Sequence, residues 1–145
     1  MFNERQANRI GAVLDTSVII AGYRSARGAS NAIIRLWREE HRFQLVLTDP
    51  ILVEWTRVLL EKGILDDVIE DFVTALRLQA LLTDDTYIVD RVSDDPGDNV
   101  FLAAALAGKA QYVVSLDGHL LLVKYYHGIQ VVRPHHFLSI LRSQI

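Results

Sequence analysis

Short apolar segments rich in β-branched residues alternate along this chain with longer segments whose apolar residues recur at helical spacing. Five short segments have the composition of strands, and they are AVLDTSVII from Ala12, FQLVLT from Phe43, TYIVDRV from Thr86, QYVVSLD from Gln111 and IQVV from Ile129. Strands that alternate with helices are typical of a parallel sheet covered by helices on both faces. The sequence therefore predicts an α/β fold with a central parallel sheet of four to five strands.

The segments between these strands carry helix start and stop signals. We expect one helix from Asn31 to Glu40, and a second that begins at Asp49 as N-cap, has Pro50 in its first turn and ends at Gly63. The further predicted helices cover residues 64–82, 100–108, 118–126 and 134–141. No repeat, linker or low-complexity tract separates these elements, so they are expected to form a single domain.

Composition limits the class of protein. The chain has 145 residues, 50% of them hydrophobic, which is enough for one compact domain; we expect this domain over residues 10–141, preceded by a short polar extension of residues 1–9. The absence of Cys excludes disulfides and thiolate metal sites. No apolar run approaches the roughly 18 residues that a membrane span requires. A cytoplasmic protein without a membrane segment is therefore expected.

The charge of the chain does not decide whether it binds nucleic acid. The net charge of −3 argues against a general nucleic-acid binder held mainly by phosphate contacts. Residues 1–42, however, contain seven Arg and four acidic residues, and the excess of acid lies in the rest of the chain. Solvated helix faces account for this distribution, and so does a basic segment that meets phosphates. The sequence leaves both interpretations open.

Four acidic residues fall near the points where strands give way to helices. Asp15 lies among the aliphatic residues of the first strand segment, and Asp117 ends the segment YVVSLD. Asp98 stands at a turn-to-helix junction, and Glu54 lies one turn into the helix that follows FQLVLT. In open parallel sheets the ligand site lies outside the carboxyl ends of the strands. We therefore expect these four side chains to converge at one edge.

Each of these acids also has a structural explanation. Asp98 and Asp117 precede helical segments and could act as N-caps, and Glu54 could flank the apolar face of its helix. Asp15 is the hardest to explain in this way, because an unpaired carboxylate beside a core is costly. Four clustered carboxylates repel one another and need either protons or a cation. An all-oxygen ligand set without Cys suits Mg²⁺ or Mn²⁺.

The residues around these acids resemble the PIN-domain family of Mg²⁺-dependent ribonucleases, in particular the small prokaryotic toxins of toxin–antitoxin pairs. The resemblance rests on VLDTSVII with Asp15, on the P-x-x-x-E segment that ends at Glu54, on DPGDNVFLAAALAGKAQYVVS with Asp98, and on SLD with Asp117. It covers almost the whole predicted domain. Two positions depart from the family pattern, because Gly97 stands where another acid is often found and Leu116 where a small residue usually precedes the aspartate.

The resemblance implies an endoribonuclease that hydrolyses RNA phosphodiester bonds with Mg²⁺ or Mn²⁺ as cofactor. The implied catalytic and metal-binding residues are Asp15, Glu54, Asp98 and Asp117. The polar neighbours expected to orient carboxylates or metal-bound waters are Thr16, Ser17, Asn99 and Ser115. The resemblance also implies RNA as substrate, an antitoxin protein as partner and a homodimer.

Other cationic and imidazole side chains are assigned lesser roles. Arg24 and Arg27, expected on the loop after the first strand, could meet the phosphates of the substrate or could simply be solvated. The five histidines show no two-ligand spacing with an acid on a predicted helix face. They are interpreted as surface or structural residues, and they are His41, His119, His127, His135 and His136.

Three other functions are compatible with an α/β domain that carries clustered acids. A haloacid-dehalogenase-like phosphatase needs a second Asp two residues after the first, and this position is Ser17. A response-regulator receiver domain needs a lysine on its last strand, whereas only Arg133 follows IQVV. A non-catalytic binding module with a PIN fold is disfavoured by the presence of all four acids. The nuclease is the preferred interpretation.

Overall fold

Six strands form the central sheet of the protein, whose computed structural model describes residues 9–89 and 95–144. They are β1 (Gly11–Leu14), β2 (Gln44–Thr48), β3 (Leu81–Thr83), β4 (Tyr112–Val114), β5 (Tyr125–Tyr126) and β6 (Ile129–Val132). Their order across the sheet is β3-β2-β1-β4-β6-β5, and every neighbouring pair is parallel except the antiparallel pair of β5 and β6. The predicted parallel α/β sheet is confirmed, with six strands instead of four to five.

Seven helices flank this sheet in the described residues. They are α1 (Thr16–Arg24), α2 (Ala29–Glu40), α3 (Asp49–Glu61), α4 (Asp66–Gln79), α5 (Asn99–Ala107), α6 (Gly118–Leu121) and α7 (Pro134–Arg142), and a 3-10 turn covers Pro96–Asp98. Successive strand residues point to opposite faces, and all four residues of β1 are buried. Both faces of the sheet centre are therefore covered.

The first predicted strand is shorter than expected. AVLDTSVII was assigned to one strand, but β1 ends at Leu14 and the segment Val18–Ile20 lies in α1. The side chain of Asp15 accepts a hydrogen bond from the backbone N–H of Val18 and so caps the helix. The cap and the burial of the apolar side chains outweigh the preference of β-branched residues for strands.

The predicted strand TYIVDRV is wrong for residues 86–89, which lie outside the strands; residues 90–92 lie outside the described residues. The strand of this region comes earlier, because α4 ends at Gln79 and Leu81–Thr83 pairs with β2. The prediction had continued the helix to Leu82. Two leucines at the end of a helical pattern suit either state, and the pairing with β2 decides between them.

Two smaller boundaries also differ from the prediction. The N-cap of α3 is Thr48, whose hydroxyl accepts from the N–H of Ile51, and Asp49 is already helical. The predicted helix over residues 118–126 ends at Leu121, and Tyr125–Tyr126 forms β5. The β5–β6 connection consists of His127 and Gly128, both with positive φ, as the two-residue turn of a twisted hairpin requires.

Other predictions for the helices are confirmed. In α2 the predicted stripe of Ile33, Ile34 and Trp37 is buried, and α7 begins at Pro134 as expected. Except for Arg9, the predicted extension of residues 1–9 lies outside the described residues. No helix within the described ranges is both long and apolar enough to cross a membrane.

Candidate active site

A cavity of about 490 Å³ opens beyond the carboxyl ends of β1 and β4, beside the starts of α1, α3 and α5. Its lining residues are Asp15, Thr16, Ser17, Pro50, Ile51, Glu54, Asp95, Gly97, Asp98, Val100, Phe101 and Asp117. The four acids that the sequence analysis singled out therefore share one cavity, as the parallel topology led us to expect. Asp95, a fifth acid, was not among the predicted site residues.

Asp15 is 3% exposed and makes hydrogen bonds with both carboxylate oxygens. Oδ1 accepts from the hydroxyl of Ser17 and from the N–H of Val18, the latter at 3.2 Å, and Oδ2 accepts from the hydroxyl of Ser115. Burial raises the pKa of Asp15, the hydrogen bonds oppose this rise, and the nearby charge of Asp117 adds to it. The carboxylate among aliphatic residues is thus compensated by donors.

The two serines also fix the loop that carries Asp117. The hydroxyl oxygen of Ser17 accepts from the N–H of Leu116 at 3.1 Å, and that of Ser115 accepts from the N–H of Asp117 at 2.9 Å. Each serine therefore donates to Asp15 and accepts from the backbone of this loop. The departure from the family pattern at Leu116 leaves these contacts in place, because none of them uses its side chain.

Three carboxylates form the tightest acidic group among the described residues. One oxygen from each of Asp95, Asp98 and Asp117 lies within 4.8 Å of the other two. Asp98 is buried at the end of the 3-10 turn, whereas Asp95 and Asp117 are more accessible. Like charges at this separation repel one another unless a proton or a cation lies between them.

Asp95 is the site residue that sequence reasoning missed. Its side chain accepts from the N–H of Gly97 at 2.9 Å and caps the 3-10 turn. A Cβ at position 97 would lie only 3.2 Å from Oδ1 of Asp95, so the glycine leaves room for this carboxylate. The signal in the sequence was the missing family acid at Gly97 beside a nearby aspartate that starts a turn.

Glu54 reaches the cavity from α3 and has a partner on its own helix. Its Oε1 lies 2.7 Å from Nη2 of Arg57 and its Oε2 lies 3.3 Å from Nε. Arg57 also binds Glu61 at 2.5 Å, one further turn along the helix. Glu54 therefore lines the same cavity as the three aspartates, but its charge is already compensated by an arginine.

The remaining predicted residues are placed unequally. Thr16 lines the cavity, and Asn99 is buried at the start of α5 without being among the lining residues. Arg24 ends α1, and Arg27 follows it in an exposed loop. Their expected place directly after the first strand was wrong because α1 intervenes, and this helix puts them about 13 Å farther along its axis than Asp15.

The donor set of this cavity fits a hard divalent cation. Asp95, Asp98 and Asp117 offer carboxylate oxygens close together, and oxygen is the donor that Mg²⁺ and Mn²⁺ prefer. Asp15 and Glu54 supply further negative charge at the wall of the cavity. A cation bound by the three aspartates would remove the repulsion between them.

Comparison with known proteins gives the family and the fold. A family profile described as PIN domain matches residues 11–119. Among solved structures, the chain is similar to the crystal structure of PAE2754 from Pyrobaculum aerophilum, with a TM-score of 0.63 and 18% sequence identity over 93% of this chain and 91% of that chain. A search of the curated proteins found no match. At such low identity the structural likeness concerns the fold alone.

Proposed function

Because this chain belongs to the PIN-domain family, whose members are generally nucleases, we propose that it is an endoribonuclease that uses Mg²⁺ or Mn²⁺ to hydrolyse RNA phosphodiester bonds. The observation that carries the proposal is the group of Asp95, Asp98 and Asp117, with oxygens within 4.8 Å of one another. The choice of RNA over DNA rests on the resemblance to ribonucleases.

In this proposal the three aspartates hold the cation and the other residues keep them in place. A divalent cation supplies Lewis-acid stabilisation of the phosphodiester and lowers the pKa of water. Asp15 orients the loop of Asp117 through Ser17 and Ser115, which bridge its carboxylate to that loop. The burial of Asp98 limits the access of water to this part of the ligand set.

Glu54 is the mobile part of the proposed ligand set. Its carboxylate is half exposed and is bound to Arg57 across one helical turn, so a rotation of the side chain changes its partner. We propose that Glu54 exchanges Arg57 for the cation or for a water in the cavity when substrate binds. The arginine released in this way stays beside the negatively charged phosphate.

We also propose the cellular setting that the family resemblance implies. The protein would be the toxin of a toxin–antitoxin pair, a homodimer that works in the cytoplasm. Its antitoxin would be a protein segment that covers the acidic cavity and presents an arginine to the carboxylates. Co-purification with the product of the neighbouring gene tests the partner, and sedimentation of the purified protein tests the dimer.

A cleavage assay with matched variants tests the nuclease. Wild-type protein should cleave RNA with Mg²⁺ or Mn²⁺ and stop when EDTA is added. Asp98→Asn should reduce the rate at least about hundredfold, because it removes one negative ligand from the group. Glu70→Gln, an equal loss of charge on the exposed surface of α4, should leave the rate unchanged.

Two outcomes would contradict this proposal. Equal cleavage by wild type and Asp98→Asn would mean that a contaminating nuclease is responsible. Release of phosphate from a small phosphoester, without cleavage of RNA, would favour the phosphatase interpretation. DNA of the same sequence, used as a parallel substrate, tests the choice of nucleic acid.

A further inference from the structure

A second and larger groove begins directly beside the acidic cavity. Its volume is about 830 Å³, and it is lined by residues of α6, β6 and the first turn of α7, with Gly118 among them. Gly118 is the residue that follows Asp117, which lines the acidic cavity. The two openings are therefore lined by consecutive residues, Asp117 and Gly118, where β4 leads into α6.

The sheet topology explains why the two openings adjoin. β4 and β6 are parallel neighbours in which Val114 pairs with Val132, so Arg133 follows β6 just as Ser115 follows β4. The N–H of Asp15 binds the carbonyl of Val114, and the N–H of Ser115 binds that of Val132. Since adjacent strands lie about 4.8 Å apart, the backbone of Arg133 is about 10 Å from that of Asp15 along one edge.

The chemistry of this groove is opposite to that of the acidic cavity. Its floor is apolar, with contributions from α6 and β6, and its rim consists of exposed cationic or imidazole side chains. The rim residues are His119, Arg133, His135 and His136. The described lining residues include no carboxylate. The first turn of α7 also belongs to the groove and adds the positive end of its helix dipole.

We propose that this groove, which we call the Arg133 groove, binds the RNA strand next to the bond that is cleaved. The inference rests on the proposed nuclease function and adds the path of its substrate. The acidic cavity holds one phosphodiester through a cation but repels the flanking phosphates, so the strand needs cationic contacts nearby. Arg133 supplies such a contact, the rim histidines offer imidazole N–H donors to phosphate oxygens, and the apolar floor accommodates a base.

An RNA strand fits this groove better than an acidic peptide does. Because Gly118 of the groove follows Asp117 of the acidic cavity, an RNA strand whose phosphodiester lies at the carboxylates has Arg133 nearby. The net charge of the whole chain is −3 with neutral histidines, so the positive charge of Arg133 at this rim is a local feature. A single RNA strand can contact Arg133 with one phosphate and, through a bound cation, the acidic cavity with another.

Binding measurements test the proposal without any need for cleavage. Fluorescence anisotropy in EDTA gives the Kd of a single-stranded RNA about 10 nucleotides long. Arg133→Gln should raise this Kd about tenfold, since it removes a charged hydrogen-bond donor. It should also make the slope of log Kd against log salt less steep by about 0.7, the contribution of one phosphate contact to a single strand.

Arg142→Gln is the matched control, because it removes the same charge from the other end of α7. It should leave both the Kd and the salt slope unchanged. Equal Kd values for wild type and Arg133→Gln, or no binding of RNA by the wild type in either EDTA or Mg²⁺, would overturn the proposal. Thermal unfolding of both variants checks that the fold is retained.

Cross-linking separates this groove from another basic segment. RNA that contains photoreactive thiouridine should cross-link to the peptide that includes His135 and His136. Cross-links confined to the loop around Arg27 would place the strand at the other end of α1 and overturn the proposal. If the protein cleaves RNA with Mg²⁺ but Arg133→Gln does not change the Kd for RNA, the nuclease function is supported and the groove is rejected as the RNA site. If RNA cross-links to the groove but is not cleaved, the nuclease function alone is rejected.

Discussion

At the scale of single residues, Asp15 shows how a charge is tolerated beside a core. Its two oxygens receive hydrogen bonds from two hydroxyls and one backbone N–H, and it caps α1 at the same time. The sequence indicated that this carboxylate was exceptional, because Val13, Leu14 and Val18 surround it. The family resemblance implied that Ser115 orients a carboxylate, but the sequence did not show that this carboxylate belongs to Asp15, from which 100 residues separate it.

The raised pKa of Asp15 predicts a pH-dependent effect on stability. Its pKa in the folded, metal-free protein lies above the unfolded value of 3.8, so the folded state holds the proton more tightly. This contribution is fully present below pH 3.8 and is lost as the pH rises through the folded pKa. Asp15→Asn should therefore gain stability relative to wild type as the pH increases. Thermal unfolding in EDTA across this range measures the difference, and a difference that does not change with pH would contradict the expectation.

Ser115 is predicted to couple stability and activity. Ser115→Ala removes the donor to Oδ2 of Asp15 and the acceptor of the Asp117 N–H, and both lie in a buried region. We expect a loss of about 1–3 kcal/mol in the free energy of unfolding and a tenfold to hundredfold lower rate, each an order-of-magnitude value. Urea unfolding and RNA cleavage measure the two effects. Ser139→Ala, on the exposed side of α7, is the control and should change neither.

At the scale of elements, alternation of strands and helices was predictable and several boundaries were not. The helical face of α2 and the start of α7 followed from apolar spacing and proline. The end of β1 depended on a cap, and β3 depended on pairing with a strand more than 30 residues earlier. The local sequence sets the intrinsic preference of a segment for helix or strand. For a short apolar run, the contacts with the rest of the fold determine which of the two forms.

The exposed pairs on α3 predict an effect on metal binding instead of stability. Arg57→Gln releases Glu54, whose carboxylate then adds its full charge to the cavity. We expect a several-fold lower Kd for Mn²⁺ with little change in Tm, because exposed ion pairs stabilise proteins only slightly. Titration calorimetry measures the Kd. Glu61→Gln removes the other partner of Arg57 and leaves Glu54 paired, so it should bind Mn²⁺ like wild type; equal affinities in all three proteins would argue against a role for Glu54.

At the scale of the whole molecule, the strand order brings the acidic cavity and the Arg133 groove together. Pairing of β4 with β6, instead of with β5, makes neighbours of the loops after Val114 and Val132. Convergence of the four predicted acids followed from the general rule for parallel sheets. The groove could not be predicted in this way, because His119 and Arg133 become neighbours only through a strand order that departs from the order in the chain.

A cation bound by three carboxylates should stabilise the entire fold. A ligand that binds only the folded state, at a concentration about 100 times its Kd, adds about 2.7 kcal/mol to the free energy of unfolding. Mn²⁺ should therefore raise the Tm of wild type above its value in EDTA. Asp98→Asn should show a much smaller rise, and an equal rise in both proteins would locate the bound ion elsewhere.

The caps formed by three of the acidic residues affect which of these residues a relative would keep after losing activity. The side chains of Asp15, Asp95 and Asp117 each accept a backbone N–H at the start of a helix or turn, whereas Asp98 makes no such cap bond at the start of α5. Selection for folding alone would thus preserve three of these aspartates in a lineage that had abandoned catalysis. The presence of these three aspartates in a descendant therefore does not by itself distinguish a working enzyme from an inherited scaffold.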